Sequence, residues 1–298
     1  MKEKMLISTA LHGNVVDDNF TEAVKMIKEA GFDAYDLSLD LMSRNKDCRF
    51  NKENYLADAK ELRAFADSIG IVCNQAHAPF PSGYTDDEKT EEAFRYIVRS
   101  MEIASICGAK HIVIHPKKHL PYKTNKEELF NINIEFYKSL IPYAEKYNIK
   151  IALENMWGRN TYLGKHSPIV ASVCSNPYEF RRYLDNLPSE LFIACVDLGH
   201  IVLTNENITE FMKVLGHDRV KALHIHDNDI IADLHTLPFI GKIPFDEFIN
   251  ALKEIDYDGD FTFETIYYEQ AFPKELKPYS LKLLNETGKY FVKKLYEK

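Results

Sequence analysis

No stretch of this chain approaches the roughly 18 uninterrupted apolar residues that a membrane-spanning helix needs. The opening MKEKMLIST also lacks the hydrophobic segment of a signal peptide. The expectation is a cytoplasmic protein with no membrane partner. Cysteine is scarce: Cys48, Cys73, Cys107, Cys174 and Cys195 are five in 298 residues, odd in number and without a CxxC pair. Free cysteine is usually buried, so these are expected to be reduced and structural. A positive excess is missing too. The 37 Lys and Arg against 45 Asp and Glu leave a formal charge of -8, which argues against nucleic acid or anionic lipid, although a local basic rim would escape this test. No linker, low-complexity tract or composition shift divides the chain, so residues 1–298 read as one domain.

What the chain does have is a repeated unit. Residues 5–11 form a short apolar run, and DDNFTEAVKMIKEAGF follows with Phe20, Ala23, Val24 and Ile27 at helical spacing. Similar strand and helix pairs return: strand two at 34–39, strand three at 71–78, strand four at HIVIHP, strand five at IKIALEN. FIACVDLGH, VKALHIHDN and DFTFETI supply strands six to eight, and the final helix is expected from about Leu281. Thr85-Asp-Asp-Glu88 and Thr124-Asn-Lys-Glu127 read as capping boxes, and Asn176-Pro177 as an N-cap with first-turn proline. Runs this apolar suit a parallel sheet covered by helices, and no GxGxxG follows the first strand. The predicted fold is α/β, a single (β/α)₈ TIM barrel.

In such a barrel the chemistry sits where strands end. Six strands here end in polar groups: His77, His115, Glu154, Asp197 with His200, His224, and Glu264. Any one of them is ordinary. Together they would crowd carboxylates into a mouth of low dielectric, at several kcal/mol per charge unless a cation neutralises them. Glu154, Asp197, His224 and Glu264 form a hard, mostly oxygen set suited to one divalent metal, Mn²⁺, Zn²⁺, Co²⁺ or Mg²⁺. His77, His115, His200, Asp233 and His235 make an outer ring, available for additional metal ions, for orienting the ligands or for gripping substrate. His12 at the end of strand one and His226, on the same face as His224, are further candidates for substrate contact. The long connection 156–175 reads as a lid carrying Trp157, placed to stack on an apolar face of a substrate, and Arg159 and Lys165, placed to hold an anion.

These residues carry a resemblance. GFDAYDLSL, AHAPF, HIVIHP, ALEN, CVDLGH, LHIHDN, ADLHTLPFIGKIPFDEF and FTFET together make the chain similar to the xylose isomerase-like barrel superfamily. That superfamily includes sugar epimerases, sugar-phosphate isomerases, inosose dehydratase and endonuclease IV. The resemblance implies that Glu154, Asp197, His224 and Glu264 are the metal quartet, that Glu154 and Glu264 are the catalytic acid and base, and that His200 contacts substrate. The implied reaction is isomerisation or epimerisation of a sugar or sugar phosphate through an enediolate. The implied partner is a small-molecule sugar, with a homo-oligomer as the other expected association.

A rival comes from the same likeness. The nine positions holding three zinc ions in endonuclease IV are matched by His77, His115, Glu154, Asp197, His200, His224, Asp233, His235 and Glu264. Against the nuclease stand the acidic charge, early loops poor in Lys and Arg, and no Gly-rich turn after strand one. An inosose dehydratase-like lyase and a metal-binding barrel without catalysis complete the alternatives. The family's sugar epimerases carry an acidic residue six positions beyond the strand-five glutamate; here that residue is Asn160.

Overall fold

The computed structural model describes residues 4–11, 15, 18–159 and 167–297. The chain opens with strands β1 (Ile7–Ala10), β2 (Ala34–Ser38), β3 (Val72–His77), β4 (His111–Val113) and β5 (Lys150–Glu154). A separate antiparallel pair follows, β6 (Trp157–Arg159) and β7 (Ile169–Ala171), and then β8 (Phe192–Asp197), β9 (Val220–His224) and β10 (Phe261–Phe263). Eight strands pair in parallel in the order β10-β1-β2-β3-β4-β5-β8-β9. The two ends of that order meet: Ile225 N–H donates to the Thr262 carbonyl at 2.9 Å, and the Ile225 carbonyl accepts from Glu264 N–H at 3.0 Å. The sheet therefore closes on itself as the (β/α)₈ barrel.

Helices α1 (Phe20–Glu29), α2 (Leu41–Arg44), α3 (Tyr55–Ile69), α4 (Asp87–Cys107), α5 (Lys126–Tyr147) and α6 (Pro177–Asp185) surround its first half. The rest are α7 (Leu198–Leu203), α8 (Ile208–Leu215), α9 (Phe245–Glu254), α10 (Ile266–Gln270) and α11 (Lys277–Tyr296). In α1 the side chain of Asn19 caps the first turn, and Phe20, Ala23, Val24 and Ile27 are the buried face. Each of its large apolar side chains is worth about 1.5–3 kcal/mol of burial. No helix among the described residues is long and apolar enough to cross a membrane. All five cysteines are free and buried.

The period of two along a strand sets what fills the barrel. Val113, Ala152, Ile193, Cys195 and Ala222 form a small apolar cluster of their own, distinct from the large layer between sheet and helices. Two residues further along the same strands lie His115, Glu154, Asp197 and His224. The register pairs Glu154 with Cys195 and Asp197 with His224, so Asp197 and His224 stand two residues further along than Glu154. A polar layer thus rests directly on an apolar plug.

Several local expectations need correction. Strand six stops at Asp197 instead of running to His200, because the Asp197 carboxylate accepts from His200 N–H at 2.7 Å and caps α7. His200 is therefore a helix residue. Asp86, not Thr85, caps α4, with its carboxylate on Lys89 N–H. Asn125 occupies the cap position of α5, while the Thr124 hydroxyl turns back to the Pro121 carbonyl. The last helix starts at Lys277, where Pro278 fits the first turn. Asn176 does cap α6, accepting from Tyr178 and Glu179 N–H.

His111, at the start of β4, is buried with Nε2 2.9 Å from Gln75 Oε1, and burial holds its pKa down at about 3. The unfolded chain takes up this proton near pH 6.5, so the stability His111 contributes is complete above that pH. It is lost as pH falls from 6.5 toward 3, on the order of 1 kcal/mol per pH unit. Urea midpoints measured between pH 7 and 4 should fall less steeply in His111→Gln than in the parent. Parallel slopes would contradict this.

Candidate active site

The strand ends converge. Glu154, Asp197, His224 and Glu264 each offer a ligand atom, all within 4.8 Å of one another, and all four residues are buried. They come from β5, β8, β9 and the residue after β10, which are neighbours around the barrel. His224 Nδ1 lies 3.4 Å from Glu154 Oε2 and 3.7 Å from Glu264 Oε2. Three further groups share this mouth: His77, His115 and Glu154; Asp36, His77 and His224; and His200, His226, Asp233 and His235. All nine residues expected at the rim are therefore in one place.

Their hydrogen bonding is incomplete. Glu154 Oε2 lies 3.0 Å from His115 Nε2 yet makes no well-formed hydrogen bond among the described residues, and His224 Nδ1 and Asp233 Oδ1 are buried without one there. Converging acceptors that lack donors are a costly arrangement in a protein interior, and a divalent cation satisfies it. The residues present fit such an ion.

Polar groups that the sequence reading passed over hold this set in place. Gln75 Nε2 sits 3.0 Å from His224 Nε2 and 3.0 Å from Asp36 Oδ2, and burial pushes Asp36 up to about 6 despite His224 and Gln75. Asn155 ties two strands together: its amide donates to the Asp197 carbonyl, its side-chain oxygen accepts from Asp197 N–H, and its own carbonyl faces His200 Nδ1 at 2.7 Å. With Nδ1 engaged there, His200 turns Nε2 toward Asp233 Oδ2 at 3.5 Å. Burial opposes charge on His200, but Asp197 and Asp233 outweigh it and hold the imidazole up at about 9.

The loop after β9 is strained, with Ile230, His235 and Phe239 at φ of 64°, 42° and 75°. Such conformations cost on the order of 1–3 kcal/mol each. Asp227 offsets that cost by accepting from the backbone N–H groups of Asn228, Gly241 and Ile243. The strain places the His235 ring, with Nδ1 2.8 Å from the Glu264 carbonyl and Nε2 3.0 Å from Asp233.

A cavity of about 260 Å³ opens above the quartet, and His77, His115, Glu154, Trp157, His200, Asp233, His235 and Glu264 are on its wall. Trp157 both lines the cavity and anchors its loop, since Nε1 donates to Asp233 at 2.9 Å. Lys118 also lines the cavity. Burial pushes its ammonium down to about 8, against the pull of Glu154 and Asp233.

Two expected substrate contacts sit elsewhere. His226 is fully buried, with Nε2 3.1 Å from both oxygens of Asp197 and its ring stacked on His235 at 4.1 Å, so it supports a ligand and is not part of the cavity wall. Arg159 donates to the Ser167 carbonyl across the β6–β7 pair and is likewise not on that wall. His12, Asn160 and Lys165 lie outside the described residues, as does the middle of the expected lid. The ends of that connection form β6 and β7, which nothing in the sequence pattern announced.

Residues 24–287 match the family described as xylose isomerase-like TIM barrel. The chain belongs to that family. A provisionally named L-ribulose-5-phosphate 3-epimerase of Haemophilus influenzae is 24% identical over 253 residues, 82% of each chain. A probable endonuclease 4 of Metamycoplasma arthritidis is 25% identical over 242 residues, 78% of this chain and 79% of its own. Among solved structures, the IolI protein with a bound zinc atom superposes with a TM-score of 0.72 at 18% identity, over 98% of both chains. This xylose isomerase-like barrel thus stands at similar sequence distance from an epimerase and from a nuclease relative.

Proposed function

We propose that the chain is a divalent-cation-dependent isomerase or epimerase of a sugar or sugar derivative, acting next to a carbonyl. The observation that carries this is the quartet of Glu154, Asp197, His224 and Glu264, two of whose members, Glu154 and Glu264, line a cavity of about 260 Å³. Such a volume admits a single sugar. The epimerase relative supports the same reading. Glu154, Asp197, His224 and Glu264 would hold the ion, which when bound supplies Lewis acidity toward a carbonyl and the neighbouring hydroxyl oxygen.

The remaining chemistry belongs to the side chains. One of the two glutamates takes the proton from the carbon beside the carbonyl, leaving an enediolate. Return of a proton by the other glutamate to the opposite face inverts that carbon, and return to the adjacent carbon moves the carbonyl. His200, with Nδ1 against the Asn155 carbonyl, offers Nε2–H to the developing oxyanion. Trp157 presents an apolar face to the ring or chain of the sugar.

The additional donor group of His200, His226, Asp233 and His235 favours one rival, a zinc phosphodiesterase acting on abasic DNA. One experiment separates the two. Metal content is counted in purified protein, and the loaded protein is offered ketoses in D₂O beside abasic-site DNA. Deuterium entering the carbon beside the carbonyl is the expected result; nicking by protein holding three zinc ions, without exchange, overturns it. Bound metal with neither activity marks a barrel without this chemistry.

A further inference from the structure

We infer that the cavity takes a substrate carrying an anionic oxygen group, a phosphate or a carboxylate, and that Lys118 is the residue that holds it. This deepens the isomerase reading and rests on it for the identity of the cavity.

The Lys118 ammonium sits 5.4 Å from the ring centroid of Phe80 and 5.4 Å from that of Trp157. Both rings also line the cavity. Two aromatic faces hold a cation in position. An ammonium has three N–H donors. Lys118 spends one on the Trp157 carbonyl at 2.9 Å, its sole hydrogen-bond partner among the described residues. It forms no ion pair there either. The carboxylates of the floor are turned to imidazoles instead: Glu154 to His115, and Asp233 to His235. Lys118 is half-buried with two donors left for the cavity, and an anionic acceptor there forms the stronger, charge-assisted hydrogen bonds.

A second cation continues this wall. Asp40 Oδ1 accepts from Phe80 N–H at 3.1 Å, and its other oxygen pairs with Arg44 Nε. Neither terminal nitrogen of Arg44 has a hydrogen-bond partner among the described residues. Arg44 lines both this cavity and a neighbouring one of about 220 Å³. Asp40 lines the cavity too and balances Arg44, so among the described residues Lys118 is the cation of this wall without a carboxylate partner, in a cavity whose lining also holds Glu154 and Glu264. A polyol with an anionic group matches that arrangement, whereas an uncharged sugar offers Lys118 only neutral oxygen acceptors and leaves its charge unpaired.

The test measures binding, not turnover, on the metal-loaded protein. Inorganic phosphate and acetate are the probes, so that the two arms separate a phosphoryl from a carboxylate group, and binding is followed by calorimetry in the parent, Lys118→Met and Lys118→Arg. Lys118→Met should weaken at least one probe by about tenfold or more, as loss of a charge-assisted hydrogen bond requires. Lys118→Arg should restore most of it, which a merely structural role for the side chain would not produce. Cation affinity, titrated separately, should be the same in all three. Equal probe affinity in parent and Lys118→Met, with cation affinity unchanged, overturns the inference and leaves the isomerase reading standing. Probe binding that follows Lys118 in a protein that never exchanges deuterium has the opposite meaning: the anion site holds and the isomerase reading fails.

Discussion

Glu154→Gln is expected to remove most bound cation and to slow deuterium incorporation into substrate by about 10²–10⁴-fold, the range associated with loss of a positioned acid or base. Three imidazoles face this carboxylate: His115 Nε2 at 3.0 Å, His200 Nδ1 at 3.3 Å and His224 Nδ1 at 3.4 Å. Burial favours its neutral form, yet His224 and His115 hold it well below the usual carboxylate range. The amide keeps the shape and removes the charge. It also sets an NH₂ group or a weaker acceptor where a cation and three imidazoles require a carboxylate. Glu264→Gln should slow exchange comparably, and the double variant should add little, because the two groups would hold the same cation and act as a unit in one removal and return of a proton. A Glu154→Gln protein that keeps its metal and exchanges at the parental rate would end the proposed mechanism.

The quartet was legible because its physics is periodic. Residues two apart share a face of a strand, so Glu154 follows Ala152, Asp197 follows Cys195 and His224 follows Ala222 into the barrel mouth. Asp36, Gln75 and His111 belong to the same inward-facing set and were missed. Each is a polar residue in an apolar run, and sequence alone does not show that Gln75 would bridge His111, His224 and Asp36. His200 was placed on a strand because Leu198 and Ile201 continue the apolar pattern; only the Asp197 carboxylate on His200 N–H shows the turn into α7. β6 and β7 have three residues each, too few for a period to register. Lys118 is one of many loop cations in the sequence, and only the fold brings Phe80 and Trp157 against it. What sequence reading loses is the contact that depends on a distant partner.

Gly199→Ala is expected to weaken cation binding by about 10–100-fold, the usual cost of disturbing a residue that orients a ligand. On helix propensity alone this substitution in α7 should stabilise the protein by about 1 kcal/mol. Packing reverses the sign. A Cβ at Gly199 would overlap the imidazole of His226, a rigid ring whose other face is stacked on His235 at 4.1 Å. The ring must leave its place 3.1 Å from both oxygens of Asp197, and overpacking of this kind costs about 1–3 kcal/mol. Asp197 then keeps its bond from His200 N–H but loses the partner that fixes both of its oxygens. The paired variant Gly199→Ala with His226→Ala separates the causes. With the ring gone, the overlap disappears, so thermal stability should recover toward that of His226→Ala or exceed it, while cation affinity should stay low because Asp197 still lacks its support. If Gly199→Ala alone binds the cation as tightly as the parent and melts higher, then His226 does not hold Asp197 in the working arrangement.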